Sequence, residues 1–506
     1  MSMDFIKKKY GGYEQLKNES IDASDSNLVE RKNTGWVASL VVIITLARIG
    51  HGLFISITGP TLLYLADNVN AEVRQVSSMF TGRSAGILVG SAVFSAVVSK
   101  WTKFKPLLSL GIGLGVNGIV MFVTPFLTNL GGLVVATTVG GLMFGYLDAG
   151  MQAVYLKLWG EKGSRPYIQS FHFGFSVGAF LAPVIAKPFL EMASQVTDSG
   201  TTCPGDDDIT QTIAFTTPAV NTTGGSTNEN SFNPINWCFI IIGTYTILMA
   251  IVMSVMALCD VEGKVASHNV DSTEERPEEP IKDVWLFFVP VVFYYFCCVT
   301  SETVYQGYIY SVALCSSLQF TVAQASILNS LFWAGFGIGR GTAIIHSNYF
   351  KPSTIIIFDL IGTTIALTVM CIWGEYIPLV TWIVSFFHGL CVATLYSSGV
   401  SWTSQVTNMA GKYMFIFAIG NAFGVMLMMP AGGALFDKNP FSVMYLILGL
   451  CCGCAIFFIF MNLVARSRHR ADVLPELEET KNGGTTNKGY EKEETDNEEK
   501  EYSTAF

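Results

Sequence analysis

The chain has 506 residues, half of them hydrophobic and 14% charged, with a mean hydropathy of +0.44. A soluble domain carries about 25% charged residues, so this composition excludes a solvated surface over most of the molecule. The net charge of −9 resides mainly in the termini and one internal loop, and no basic stripe points to nucleic acid.

The first 35 residues are polar, with Lys7, Lys8, Lys9, Arg31 and Lys32, and show no cleavable signal peptide. A membrane-spanning helix needs about 20 mostly apolar residues. Twelve such stretches are expected: 36–65, 76–98, 107–126, 130–156, 167–192 and 235–259, then 284–310, 324–346, 352–373, 378–402, 412–436 and 441–464. The reading is an all-α membrane protein, an N-terminal six-helix half at 36–259 and a C-terminal one at 284–464. A loop at 193–234 interrupts the first half. An acidic linker at 260–283 joins the halves, and a charged tail at 465–506 is expected to be disordered.

An even number of spans puts both termini on one side. Lys100, Lys103, Lys105, Lys157, Lys162, Arg165, Lys351 and Lys412 fall in loops on that side, and Arg466, Arg468 and Arg470 follow the last span. The segment 193–234 has no Lys or Arg. Basic loops stay in the cytoplasm, so both termini are expected there. Asn221-Thr222-Thr223 then becomes an outer glycosylation acceptor, consistent with a plasma-membrane protein. The eleven cysteines form no CxxC pair; a bridge between Cys203 and Cys238 is conceivable. Phe104-Lys105-Pro106 precedes the third span and Phe350-Lys351-Pro352 the ninth, as a duplicated 6+6 chain would repeat them.

Several stretches carry more than topology. Gly59-Pro60-Thr61-Leu62-Leu63 ends the first span and Phe80-Thr81-Gly82-Arg83-Ser84-Ala85-Gly86 opens the second. Asp148-Ala149-Gly150 lies late in the fourth, followed by Leu158-Trp159-Gly160-Glu161-Lys162 and Pro166-Tyr167-Ile168-Gln169-Ser170-Phe171-His172-Phe173. Glu302 precedes Gly307-Tyr308-Ile309-Tyr310. Together these resemble the fucose-permease-like branch of the major facilitator superfamily, in particular its sodium-dependent glucose transporter 1 group. The resemblance implies the major facilitator fold and uptake of a hexose coupled to Na⁺ or H⁺, with no cofactor. The chain departs from the branch at Tyr396-Ser397-Ser398, where Pro-Thr is expected, and at Val425, where an acidic residue is frequent.

Charges at membrane depth are costly unless paired or hydrated, which makes each a functional candidate. From a rise of about 1.5 Å per residue, Arg48 and Asp148 fall at similar depths and are expected to pair. Opening of that pair by a cation or proton would couple transport; a permanent structural pair is the plainer reading. Glu302, with Gln306 one turn away, is a candidate for sugar binding or coupling. Arg83 and His51 join the coupling candidates, and Gln169 and His172 the sugar contacts. Gln152, Asn329, Trp333 and Asn421 could supply hydrogen bonds and an apolar face, although interhelical packing explains such residues as well. Arg340 reads as an end anchor, and Asp359 as structural. Gly86 with Gly90, and Gly335 with Gly339, form small-xxx-small patterns that let helices approach.

Two further readings compete. Arg48 and Arg83 could meet a carboxylate, which suits a carrier of organic anions or other polar metabolites. A non-transporting scaffold of the same fold is another option. An enzyme is not expected, because no HExxH, nucleophile elbow or metal cluster is present. Ser503-Thr504-Ala505-Phe506 resembles a ligand for a PDZ-domain partner.

Overall fold

The computed structural model describes residues 35–100, 106–196, 203, 232–259, 281–346, 349–406 and 414–482. Side chains at 97–100, 156–169, 195–196, 281–286, 344, 414–415 and 468–482 lie outside the description. The predicted sites at Asn221 and at the C-terminal tetrapeptide fall beyond these residues, as do most of the 193–234 loop and of the 260–283 linker.

Among the described residues the protein is helical throughout. The helices are α1 (Gly35–Ser56), then α2 (Leu62–Asn68), α3 (Val73–Val76), α4 (Ser78–Lys100), α5 (Pro106–Val123), α6 (Leu130–Val196) and α7 (Asn236–Leu258) in the first half. The second half has α8 (Ile281–Cys315), α9 (Val322–His346), α10 (Pro352–Val369), α11 (Pro378–Val392), α12 (Leu395–Val406), α13 (Met414–Phe436) and α14 (Ser442–Asn482). Ten segments are long and apolar enough to cross a membrane. The remaining two of the twelve expected are α4 and α9, helices of 23 and 25 residues. They are less apolar because they carry Arg83, Arg340 and several hydroxyl residues. Side chains such as Ile112, Val135, Phe358 and Leu463 stay exposed, as expected where lipid replaces water.

Four local features differ from the sequence expectation. Residues of α6 span both the fourth and fifth crossings in one helical run. The chain doubles back within it, since the Tyr155 and Phe171 rings lie 6.3 Å apart, whereas a straight helix would separate them by about 24 Å. The first span breaks at Ile57–Thr61, where Pro60 lacks the N–H a helix needs. The tenth span is split between α11 and α12, and Tyr294 and Tyr295 donate hydroxyl hydrogens to the carbonyls of Leu395 and Tyr396, in the first turn of α12, at 3.0 and 3.3 Å. The last helix continues to Asn482, into the segment expected to be disordered. Its Arg, Leu and Glu residues there are good helix formers.

The two halves repeat the same construction. Pro106 and Pro352, from the two Phe-Lys-Pro triplets, open α5 and α10; proline suits a first helical turn because its missing N–H would be unsatisfied anyway. Gly86 and Gly90 let α4 lie against α6: an added Cβ at Gly86 would come 2.7 Å from the Leu142 nitrogen. Gly335 and Gly339 do the same for α9 on α11, where a Cβ at Gly335 would come 3.1 Å from the Leu390 nitrogen.

At the end of the bundle far from the termini, hereafter the distal end, the halves close on each other. The Arg74 backbone N–H donates to Asp437 Oδ2 at 3.0 Å. Ser77 Oγ and Tyr308 Oη lie 2.5 Å apart, Tyr308 donates to the Met429 carbonyl at 2.7 Å, and Thr81 donates to the Met426 carbonyl at 2.9 Å. A disulfide joins Cys203 to Cys315, so the loop after α6 is fastened to the distal end of α8. Cys238, the partner considered from sequence, is buried with its thiol 4.0 Å from the Ala186 carbonyl. Cys238 faces the Ala186 backbone inside the first half instead.

Peptide mapping without reduction should recover Cys203 joined to Cys315 and leave Cys238 alkylatable only after unfolding. Replacing Gly141 by Val, whose Cβ would meet the Arg83 carbonyl carbon at 2.8 Å, should cost at least ~1–3 kcal/mol through overpacking. In a detergent thermal-stability assay its Tm should fall clearly below wild type. Gly449→Ala, with open space around it, should not shift it.

Candidate functional site

The polar side chains inside the bundle fall into two layers. Depth follows from the helical rise of about 1.5 Å per residue. Arg83 lies about 8 Å from the distal start of α4, Asn329 about 10 Å from that of α9, and Gln306 about 14 Å from the distal end of α8. Asp148 on α6 and Arg340 on α9 each lie deeper, at about 27 Å.

The deeper layer is charged. Arg48 Nη1 of α1 lies 2.6 Å from Asp148 Oδ1 of α6. Gln152, one turn beyond Asp148, donates its Nε2 to Oδ2 at 3.0 Å. Arg48 Nη1 also reaches His51 Nδ1 at 3.1 Å. A guanidinium can only donate, so Nδ1 accepts and His51 holds its proton on Nε2 as a neutral ring. Aromatic faces enclose the cation: its Cζ lies 4.2 Å from the Phe171 centroid, 5.0 Å from Phe175 and 5.3 Å from Phe144. The Arg48 side chain is 6% exposed, whereas Asp148 is 30% exposed. The carboxylate therefore presents an accessible edge, and the cation does not.

The second half contributes Glu302 and Arg340. Arg340 is within electrostatic reach of Glu302, of the Arg48 and Asp148 pair, and of Tyr396. Its own Cζ lies 4.5 Å from the Phe336 ring. His172, on the second crossing of α6, faces the charges of Arg340 and Arg48. Arg340, expected to anchor a helix end, thus belongs to the interior cluster. It sits one turn and a half from the end of α9, and a long side chain can cover that distance back into the bundle.

The distal layer is neutral except for one cation. Asn329 Nδ2 donates to the Gln306 backbone carbonyl at 3.3 Å. Gln306 Nε2 and Oε1, Asn329 Oδ1 and Trp333 Nε1 are all buried without a hydrogen-bond partner. A buried polar atom left unpaired costs about 1–3 kcal/mol, so four on adjoining turns of two helices are unusual. The Trp333 ring packs edge-on to Phe175 at 5.8 Å, which brings the second half against the first. Arg83 donates Nη1 to Thr58 Oγ1 at 3.2 Å and stands over the Phe80 ring at 4.7 Å.

Other candidates fall elsewhere. The Gln169 side chain is outside the described residues. Asn421 is half-buried on α13, and no hydrogen bond among the described residues joins it to either layer. Asp359 accepts from Thr394 at the break between α11 and α12, a bracing role. His388 Nδ1 lies 2.6 Å from Thr363 Oγ1 and packs on Tyr305 and Phe332. A separate cavity of about 770 Å³ opens at the distal end, lined by Pro60, Tyr64, Asn68, Glu72, Asn233 and Tyr310. It lies beyond the distal layer and contains none of the deeper charges.

Removing one member of a buried ion pair is expected to cost about 3–5 kcal/mol, because the other charge is stranded. Asp148→Asn should therefore lower the melting temperature more than the double variant Arg48→Gln/Asp148→Asn does. Thermal unfolding in detergent measures both. Losses of Asp148→Asn and of Arg48→Gln alone that simply add in the double variant would show that the pair contributes nothing beyond its separate members.

Residues 291–490 match the Major Facilitator Superfamily. The chain is 30% identical over 426 residues to sodium-dependent glucose transporter 1 of Homo sapiens, covering 83% of this chain and 78% of that protein. It is 28% identical to sodium-dependent glucose transporter 1A of Mus musculus, covering 81% and 92%. Among solved structures, a D-xylose-proton symporter superposes with a TM-score of 0.59 at 12% identity, covering 84% of this chain and 97% of that one. The nucleoside transporter NupG superposes with a TM-score of 0.56 at 11% identity, covering 84% and 98%; both likenesses establish the fold. The shared duplicated architecture and the identity across most of the length lead to one conclusion: this multi-pass membrane protein belongs to the major facilitator superfamily, in the sodium-dependent glucose transporter 1 family.

Proposed function

We propose that this protein carries a hexose such as glucose across a membrane by alternating access, coupled to Na⁺ or H⁺. The observation that carries the sugar reading is the distal layer. Gln306, Asn329 and Trp333 present two acceptors and two donors without partners inside a closed bundle. A hexose offers hydroxyls that both donate and accept, together with an apolar ring face for an aromatic neighbour. The printed names of the relatives point the same way.

Coupling rests on the deeper layer. Asp148 has an exposed edge and a guanidinium on its other side. A cation or proton arriving at that edge would weaken the hold on Arg48. Glu302 lies within electrostatic reach of Arg340, without a contact ion pair. Both carboxylates thus belong to electrostatic balances that a single added charge can tip, and the two lie on opposite halves. Gln152 keeps Asp148 oriented while its partner changes.

Orientation follows from two independent lines. The basic loops favour cytoplasmic termini, and a disulfide at the distal end needs an oxidising compartment. The distal end is then extracellular, the membrane is the plasma membrane, and the 770 Å³ cavity is an outer vestibule. Asn221 would carry a glycan there, and the C-terminal tetrapeptide would meet PDZ-domain partners in the cytoplasm.

The test is uptake of radiolabelled glucose into cells expressing the chain, with Na⁺ present or replaced by choline at several pH values. Saturable uptake above mock cells is expected, with Na⁺ or proton dependence. Asp148→Asn and Glu302→Gln at matched surface levels should each reduce it at least about tenfold, a loss of ~1.4 kcal/mol. Uptake indifferent to both ions would remove the coupling and leave a facilitative carrier. No uptake despite good surface expression would favour the scaffold reading.

A further inference from the structure

Arg83 is the side chain that the sugar reading does not use. It is 3% exposed, yet its only polar partner among the described residues is the neutral hydroxyl of Thr58. The two other interior guanidiniums have carboxylates in reach, Arg48 through Asp148 and Arg340 through Glu302. No carboxylate faces Arg83 among the described residues. One hydroxyl and one aromatic face do not balance a full charge taken out of water, a cost of several kcal/mol for an unpaired ion.

Its position adds the second element. Thr58, which takes the Arg83 hydrogen bond, sits in the break of the first span, and Gly59 follows it. A Cβ on Gly59 would lie 2.5 Å from the Gln306 carbonyl oxygen and 3.0 Å from Asn329 Nδ2. The guanidinium, the Asn329 side-chain amide and the Gln306 backbone therefore flank the same Thr58–Gly59 peptide. They come from different halves of the molecule at similar depth. A solute held by Gln306 and Asn329 through hydroxyls would lie near a positive charge that no carboxylate among the described residues neutralises.

We propose that Arg83 anchors the carboxylate of the transported solute, so that the substrate class includes hexuronates, sugars with a carboxylate at the end of the ring opposite the reducing carbon. This rests on the sugar reading of the distal layer and narrows it. A guanidinium offers two parallel N–H groups to a carboxylate, and the Thr58 hydroxyl engages only Nη1. Ring hydroxyls would satisfy the side-chain amide of Gln306 and the oxygen of Asn329. A neutral hexose fills the same hydroxyl contacts and leaves the cation unmatched, so it binds less well.

The experiment is inhibition of radiolabelled glucose uptake by unlabelled D-glucuronate and by unlabelled glucose, with direct uptake of radiolabelled glucuronate alongside. Wild type, Arg83→Lys and Arg83→Gln are compared at matched surface levels. Glucuronate is expected to compete at concentrations no higher than glucose does. Arg83→Gln should raise the ratio of the two half-inhibitory concentrations about tenfold or more, and Arg83→Lys should keep most of the preference. Glucose uptake that glucuronate never inhibits in wild type overturns the proposal while the hexose reading stands. A loss shared equally by both sugars in Arg83→Gln also overturns it and makes Arg83 a brace of the first-span break. If glucose uptake collapses when chloride is replaced by sulfate, and Arg83→Gln removes that dependence, the partner is inorganic chloride and the carboxylate proposal fails. Should Arg83→Gln not reach the surface, wild-type competition alone decides. Uptake of glucuronate without glucose supports the anion site and removes the neutral-hexose reading, and uptake of neither removes both.

Discussion

A charge inside a lipid-facing bundle must find a partner, and most of this molecule is arranged around that requirement. Arg48 is held by Asp148 on one side and by three aromatic rings on the others. The ring faces carry partial negative charge and tolerate a guanidinium that water no longer reaches. The helices supplying these groups approach closely only because glycines remove the side chains between them: Gly174 and Gly178 on α6 face Thr45 and Ile49 of α1. Packing and electrostatics are therefore one problem here. A bulkier residue at either glycine would displace the ring and the cation together.

The same requirement explains the broken helices. Breaking a span frees backbone carbonyls, and the bilayer offers nothing to bond them. At the split between α11 and α12 the tyrosines of α8 brace the first turn of α12 through its carbonyls, and Thr394 turns its hydroxyl to Asp359. At the break of the first span, Thr58 Oγ1 donates to the Ile55 carbonyl at 2.8 Å while receiving Arg83. Each irregular stretch is thereby carried by groups from neighbouring helices. Such stretches bring backbone, small residues and polar side chains to the level where a solute can be held.

Much of this was legible from residue order, and the rest was hidden for definable reasons. Apolar run length located the spans, and the depth argument paired Arg48 with Asp148, because a constant helical rise converts sequence number into height. Height along the axis says little about azimuth or about the reach of a long side chain, and so Arg340 was read as an anchor while its charge lies among Glu302, Asp148 and Arg48. The partner of Cys203 was hidden because contacts between halves join residues more than a hundred positions apart. Gln306, Asn329 and Trp333 could be chosen as polar or aromatic residues at membrane depth. That their polar atoms lack partners is a property of the packed helices and is not encoded in spacing.

The link between Cys203 and Cys315 leashes the loop after α6 to the second half. Six residues, seven Cα steps, separate the end of α6 at Val196 from Cys203, and a fully extended stretch of that length reaches at most about 25 Å. Any rocking that opened the distal end could go no further than this stretch allows when taut, a limit set by chain length and not by contacts in the closed state. Lengthening this stretch would widen the swing without touching any residue that meets the solute.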